Sequence, residues 1–194
     1  MARIADPEKL YNIKKAVMEC IVNHGYAGVS TALICESAGV SPGYLYRFYD
    51  SKDELVQELV DSETESIRKN FTAIIESSVT VYEVAYKIIK QLFFRANEDR
   101  LTTRFTAHVV MDLKVPAKEK TEKYKNILQI AERCIELGRK TGEFSHQITP
   151  MEVLIISFTI PFRYLAFSLE LEENKKFTEE EVKRIAEICV NALK

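Results

Sequence analysis

The 194-residue chain has only six Gly and five Pro, and no low-complexity tract or repeat of fixed period runs through it. Helices can therefore run long, and a solenoid is excluded. Its four cysteines, Cys20, Cys35, Cys134 and Cys189, show no C-x-x-C spacing, and each stands in an apolar pattern of helical period. They read as buried thiols rather than metal ligands or disulfide partners. The three histidines, His24, His108 and His146, lie in separate segments, with no Gly-rich phosphate loop and no nucleophile set beside a base. Enzyme chemistry has almost no support in such a pattern, and neither a cofactor nor a metal is expected.

An excess of positive charge is also lacking. Net charge is −2, and in residues 1–55 Arg3, Lys9, Lys14, Lys15, Arg47 and Lys52 face Asp6, Glu8, Glu19, Glu36, Asp50, Asp53 and Glu54. Contact with nucleic acid would have to rest on the placement of a few groups rather than on a bulk field. The longest apolar stretch, Val153 to Leu169, is broken by Ser157, Thr159, Pro161 and Arg163, and it falls short of the roughly 20 residues a bilayer requires. No membrane association is expected, and a helix buried between subunits is the better reading. The opening MARIADPEKL has neither an apolar core nor a cleavage signal, so the expected location is the cytoplasm.

What is present is a series of well-marked helices. Asp6-Pro7-Glu8 reads as an N-cap and first turn, followed by Leu10, Ile13, Val17, Cys20 and Ile21 at helical spacing and closed by His24-Gly25. Ser30 or Thr31 starts a short helix carrying Leu33, Ile34 and Ala38 and stopped by Gly39; Ser41-Pro42 starts another. Two short helices joined by a tight Gly-containing turn form a helix-turn-helix pattern. Ser51 to Glu54 is a capping box at the head of a long helix, and the same spacing recurs at Thr80 to Glu83, Thr149 to Glu152 and Thr178 to Glu181. The helices predicted are 7–24, 31–38, 42–48, 52–76, 81–96, 101–113, 117–140, 150–171 and 179–193. No stretch alternates with period two, so the fold class is all-α.

The run GYAGVSTALICESAGVSPGYLYRFYDSKDEL, from Gly25 to Leu55, resembles the DNA-binding domain of the tetracycline-repressor (TetR) family. Gly25, Ile34, Ala38, Gly39, Val40, Ser41, Gly43, Leu45, Tyr46, Ser51, Lys52 and Leu55 stand where that pattern expects them. The resemblance implies a helix-turn-helix head over 1–51 and an effector-binding, dimerising body over 52–194. It implies that Ser30, Thr31, Ser41, Pro42, Gly43, Tyr44, Tyr46, Arg47 and Lys52 face double-stranded DNA, with Tyr46 and Lys52 on phosphates and Arg47 as the candidate for guanine. Two departures are Phe48-Tyr49 where the pattern has His-Phe, and Cys35 for Ala. Ala32 offers at most a methyl contact. Of the aromatics between 44 and 49, Leu45's neighbour Phe48 or Tyr49 is expected to join Leu45 in the core.

In the body, the nearly all-apolar helix 150–171 and the stripe Val182, Ile185, Cys189 and Leu193 of 179–193 suggest a homodimer through these two helices, as in the family. Residues that pair an apolar body with a polar tip, Tyr86, Arg104, His108, Tyr124 and Arg163, together with Phe93, Phe105, Met111 and Phe158, are candidates to line a small-molecule site; the plain alternative is core, and a lone histidine or an aromatic stripe at helical spacing is more often core than pocket. Arg163, the one charge between Val153 and Leu169, is expected to be buried, paired with a carboxylate or an acidic effector, with Pro161 loosening the helix beside it. The resulting function is a DNA-binding transcriptional regulator, a repressor released from a near-palindromic operator by an effector. The alternative is an all-helical binding protein or enzyme with a vestigial helix-turn-helix.

Overall fold

The structure, a computed structural model, describes residues 6–111, 117–144 and 147–194, with side chains at 6–108, 128–144 and 147–194. Among these residues all regular structure is helical. Helix α1 (Pro7–Gly28) starts on Asp6, whose carboxylate accepts from the N–H groups of Glu8 and Lys9 at 3.1 and 3.4 Å. Gly25 is non-helical (φ 66°), so the regular helix ends where His24-Gly25 implied, and a separate turn follows, closed by Val29 N–H on the Tyr26 carbonyl at 3.4 Å.

Ser30 rather than Thr31 caps α2 (Thr31–Ala38), accepting from Leu33 N–H at 3.2 Å. The helix closes as a Schellman motif, with Val40 N–H on the Cys35 carbonyl and Gly39 N–H on that of Glu36. Gly39 sits at φ 64°, ψ 34°, a left-handed conformation in which a Cβ would press on the following carbonyl. Helix α3 (Pro42–Leu45) is shorter than the 42–48 expected, because Arg47 and Phe48 donate to the carbonyls of Tyr44 and Leu45, three residues back, and tighten the last turn. Helix α4 spans Lys52–Glu76.

The capping boxes divide into two kinds. At Thr149 and Thr178 both halves form. At Ser51 and Thr80 the hydroxyl accepts as expected, but the Glu54 and Glu83 carboxylates reach one residue further back, to Asp50 N–H (2.6 Å) and Val79 N–H (2.9 Å).

The described chain forms two compact units. The first takes the residues up to 65 and those from 104 to 111; the second takes 66–103 and the residues from 117 onward. The first unit buries Ile13, Val17 and Ile21 of α1, Ile34 and Cys35 of α2, Leu45 and Tyr49, and Leu55, Val56 and Leu59 of α4. It also holds Phe105, fully buried, and Thr106, which donates to Glu63 at 2.9 Å. Each such aliphatic or aromatic burial stabilises by about 1.5–3 kcal/mol.

The second unit holds α5 (Val81–Glu98), the first residues of α6 (Arg100–Met111), α7 (Ala117–Thr141), α8 (Pro150–Leu154), α9 (Ile160–Leu171) and α10 (Glu179–Asn191). One apolar cluster gathers Phe71, Ile74, Ile88, Ile130, Cys134 and Val153; another gathers Ile89, Phe93, Leu165, Phe177, Val182 and Cys189. The segment joining α9 to α10 is strapped to α5: Asn97 donates to the Phe177 carbonyl and accepts from its N–H (2.9 and 2.8 Å), and Lys176 donates to the Asn97 carbonyl.

The helix expected over 150–171 is interrupted. Ile155–Thr159 form a π turn between α8 and α9. Pro161 is the cause, since it has no N–H to give four residues back and its ring would strike the Ser157 carbonyl. In a π turn the partner lies five residues on, and for the Ile156 carbonyl that residue is again Pro161. The Cys189 thiol supplies the missing donor, with Sγ 3.7 Å from that oxygen. By length and composition 150–171 could cross a membrane, and only 28% of its most apolar window is buried within the chain. Met151, Ile155, Phe167 and Leu171 remain exposed on it, as does Ile188 on α10.

Candidate functional site

Helix α3 presents most of its surface outward. Leu45 is completely buried and anchors it, whereas Ser41, Pro42, Gly43, Tyr46 and Arg47 are exposed. The Ser30 and Ser41 hydroxyls accept from the N–H groups of Leu33 and Tyr44, and each keeps its own proton to donate. Tyr44 is half-buried: its hydroxyl accepts from Asp6 N–H at 3.2 Å, and its ring carries the Lys9 ammonium at 5.3 Å and the Arg47 guanidinium at 5.5 Å. Two cations thus share the Tyr44 ring. Tyr46 stands 49% exposed with its hydroxyl 3.1 Å from that of Thr31, so α3 and the start of α2 share one polar edge. Ala32 is exposed on the same helix. Of the two aromatics left open by the sequence, Tyr49 is the core one; its hydroxyl donates to Glu58 at 3.4 Å while Phe48 stays half-buried.

Lys52 is placed differently from the rest. It is half-buried, donates to the carbonyls of Tyr26 (3.3 Å) and Val29 (3.0 Å), and holds its ammonium 4.4 Å from the Tyr26 ring centre. The Tyr26 hydroxyl donates to the Asp53 carboxylate at 2.5 Å. Burial, helped by the bond to Asp53 and its charge, pushes the Tyr26 phenol up to about 12, so it remains a donor at neutral pH.

The effector candidates are distributed over both units. Arg104, Phe105 and His108 belong to the first; Tyr86, Phe93, Phe158 and Arg163 belong to the second. The side chains of Met111 and Tyr124 lie outside the described residues. Tyr86 donates to Glu179, which also pairs with Lys90 at 3.2 Å, so its polar tip is taken up by an ion cluster. Phe93 is plain core, packed on Phe177 with ring centres 4.6 Å apart. Arg163 is not buried: it is exposed, with its guanidinium 5.3 Å from the ring centre of exposed Phe167, and the carboxylate partner expected from its burial is not required. The reason is rotational, since at four-residue steps it falls on the stripe of Ile155 and Phe167 and not on the inward one.

Among the described candidates, Phe158 alone lines an apolar cavity of about 30 Å³ in the second unit, beside Phe71, Ile88, Ile130, Cys134, Ser157 and Cys189. The π turn forms part of its wall. Apart from Phe158, its residues were hidden in the sequence because nearly all of them are ordinary apolar positions; the interruption at Pro161 was a further local signal. Burial pushes the Cys134 thiol up to about 12 and that of Cys189 to about 11, so both stay protonated and unreactive. Among the described residues no group of three or more His, Cys, Asp or Glu is placed to hold a metal ion.

Residues 13–59, which span α1 to the first turns of α4, match the family model described as bacterial regulatory proteins, tetR family. The nucleoid occlusion factor SlmA of Aliivibrio fischeri (strain MJ11) is 29% identical over 113 residues, which cover 57% of this chain and 58% of that one. The chain therefore aligns with little more than half the length of that relative. Among solved structures, a TetR family transcription regulator from Marinobacter aquaeolei VT8 shares the fold with a TM-score of 0.75 at 14% identity, covering 96% of this chain and 95% of that one. The transcriptional regulator FadR from Bacillus subtilis, in complex with stearoyl-CoA, does so with a TM-score of 0.73 at 17% identity, covering 95% and 99%. The N-terminal helix-turn-helix thus matches the model of the tetR family of bacterial regulatory proteins, and the all-helical fold is one that solved TetR family regulators share along nearly the whole length.

Proposed function

We propose that the protein is a cytoplasmic, homodimeric, sequence-specific DNA-binding regulator whose hold on DNA is released by a small apolar effector. The observation that carries this reading is α3, a helix that buries only Leu45 and turns Ser41, Pro42, Gly43, Tyr46 and Arg47 to solvent. A short helix with that much open surface is spent on something outside the chain. Ser30, Thr31, Ser41 and Tyr46 offer hydroxyls to phosphates, Gly43 permits close approach, and Pro42, Tyr44 and Arg47 are left to meet base edges in the major groove.

The apolar stripe of Met151, Ile155, Phe167, Leu171 and Ile188 supports a dimer face. Arg163 in the middle of that stripe argues for a protein partner over lipid, in which a guanidinium near the bilayer centre is costly. A stable interface of this kind needs roughly 1,200 Å² in total, and two heads would then meet half-sites about 34–36 Å apart. The hydrocarbon lining of the cavity supports an effector with a hydrocarbon portion, and a structural neighbour carries stearoyl-CoA. At about 30 Å³ the cavity must open to admit one, and the π turn is the wall least bound by regular hydrogen bonds.

The test is binding to a labelled duplex of the DNA flanking the protein's own coding region, with and without stearoyl-CoA, beside sedimentation of the free protein. A dimer that shifts this duplex over random DNA, and lets go on adding the thioester, is the expected result. A monomer at micromolar concentration, or equal affinity for both duplexes, refutes the reading.

A further inference from the structure

Lys52 occupies an electrostatically awkward position. It is the first residue of α4, where the helix dipole disfavours a cation, and Asp53 and Glu54 follow it in the same turn. Its ammonium is directed to another helix end. The segment closing α1 has no basic residue in its last turn, so its terminal carbonyls have no cation of their own. Lys52 donates to two of them, on Tyr26 and Val29, at 3.3 and 3.0 Å. The Tyr26 ring lies under the same ammonium at 4.4 Å, and the Tyr26 hydroxyl is bound by Asp53, the next residue of α4. Two carbonyls and a ring face thus engage a group that has three donors. Directly after the clasped turn come Ser30, the cap of α2, and Thr31, whose hydroxyl meets that of Tyr46.

We propose that Lys52 is a positioning residue: it supplies in trans the C-terminal cation that α1 lacks, and so holds the Tyr26–Val29 turn that sets the start of α2, instead of contacting a DNA phosphate itself. This rests on the DNA-binding reading only for its functional consequence. A phosphate contact through the third N–H would draw the ammonium off the Tyr26 ring, and one through either of the others would leave a helix-end carbonyl to water.

The two roles differ in a measurable way. A lysine that neutralises a phosphate contributes about 0.9 to the slope of log K against log salt, and one that acts through the turn contributes nothing to it. The experiment compares Lys52→Met with Tyr26→Leu, which removes the other half of the clasp without removing a cation. Affinity is read on the flanking duplex and on a random-sequence duplex over a range of salt, and backbone amide shifts are read on the DNA-free protein. Expected are a several-fold weakening in both variants, slopes equal to that of the wild type, and shift changes at Val29, Ser30, Thr31 and Leu33 in both. A slope shallower by about one unit in Lys52→Met overturns the proposal whatever else changes. So do unchanged amides at 29–33, or wild-type affinity in Tyr26→Leu. Lys52→Arg keeps the charge with a planar head that cannot reproduce the ammonium's three-way placement; retention of full affinity by it also counts against the clasp. If wild-type protein binds neither duplex, the DNA-binding reading fails, and the amide shifts alone decide whether Lys52 holds the turn.

Discussion

Glu181 offers a direct measurement of what tertiary structure adds to a local motif. Its carboxylate completes the capping box of α10, accepting from Thr178 N–H at 3.0 Å, and it also accepts from the Tyr164 hydroxyl and pairs with Lys175, both at 2.8 Å. The pair is well shielded, at 16% exposure for Lys175 and 13% for Glu181. Burial alone would raise the carboxyl, but the Lys175, Tyr164 and Thr178 bonds outweigh it and hold the group at about 2, against an ordinary 4.5. At 1.36 kcal/mol per pH unit such a difference corresponds to at most about 3 kcal/mol of folding stability. Because the folded value is the lower one, the stabilisation is complete above pH ~4.5 and is lost as pH falls from there through about 2. Glu181→Gln keeps an oxygen for Thr178 N–H and removes the charge. At pH 7 it should cost about 1–3 kcal/mol, or roughly 2–12 °C in melting temperature for a chain of this size. The gap to the wild type, followed by thermal unfolding in steps from pH 7 to pH 3, should hold constant to about pH 5 and then narrow. A gap that stays the same at pH 3, or no gap at pH 7, would refute the assignment of this stability to the charged pair.

Two further substitutions probe the second unit. Gly138 lies under the Phe144 ring where α7 ends; its carbonyl accepts from Glu143 N–H at 2.8 Å, and a Cβ there would come within 2.9 Å of ring Cε2. With three Phe144 ring carbons inside 3 Å of that Cβ, overpacking should fall at about 2–3 kcal/mol against a gain of about 1 kcal/mol in helix propensity, so Gly138→Ala should destabilise by about 1–2 kcal/mol in denaturant unfolding; a variant as stable as the wild type contradicts the geometry. Cys189→Ala removes the thiol that serves the Ile156 carbonyl and should cost about 1–2 kcal/mol. In a Pro161→Ala background an N–H becomes available to that helix, so the cost should shrink by about 1 kcal/mol; additive effects in the double-mutant cycle would separate the thiol from the π turn.

The helices were legible in the sequence because their start and stop signals are local. Asp6-Pro7, Ser30, Ser41-Pro42, Thr149 and Thr178 each bond within three residues of themselves, and a signal that acts over one turn can be read without knowing the fold. The helix-turn-helix was legible for the same reason, since Gly39 and Val40 close α2 and Ser41 opens α3 through bonds that reach no more than five residues along the chain. Where a side chain had to choose among faces or distant partners, only the tertiary structure decided. Tyr49 rather than Phe48 enters the core because it lies over Glu58 of α4. Arg163 is exposed because its rotational position follows Ile155 and Phe167. Lys52 turns to the carbonyls of Tyr26 and Val29, more than twenty residues back along the chain, because those helix ends meet in space. A single sequence carries hydrophobic period and capping chemistry in its near neighbours. It does not carry which of several solvent-compatible positions a long polar side chain will prefer, because that choice depends on carbonyls and rings brought together only by folding.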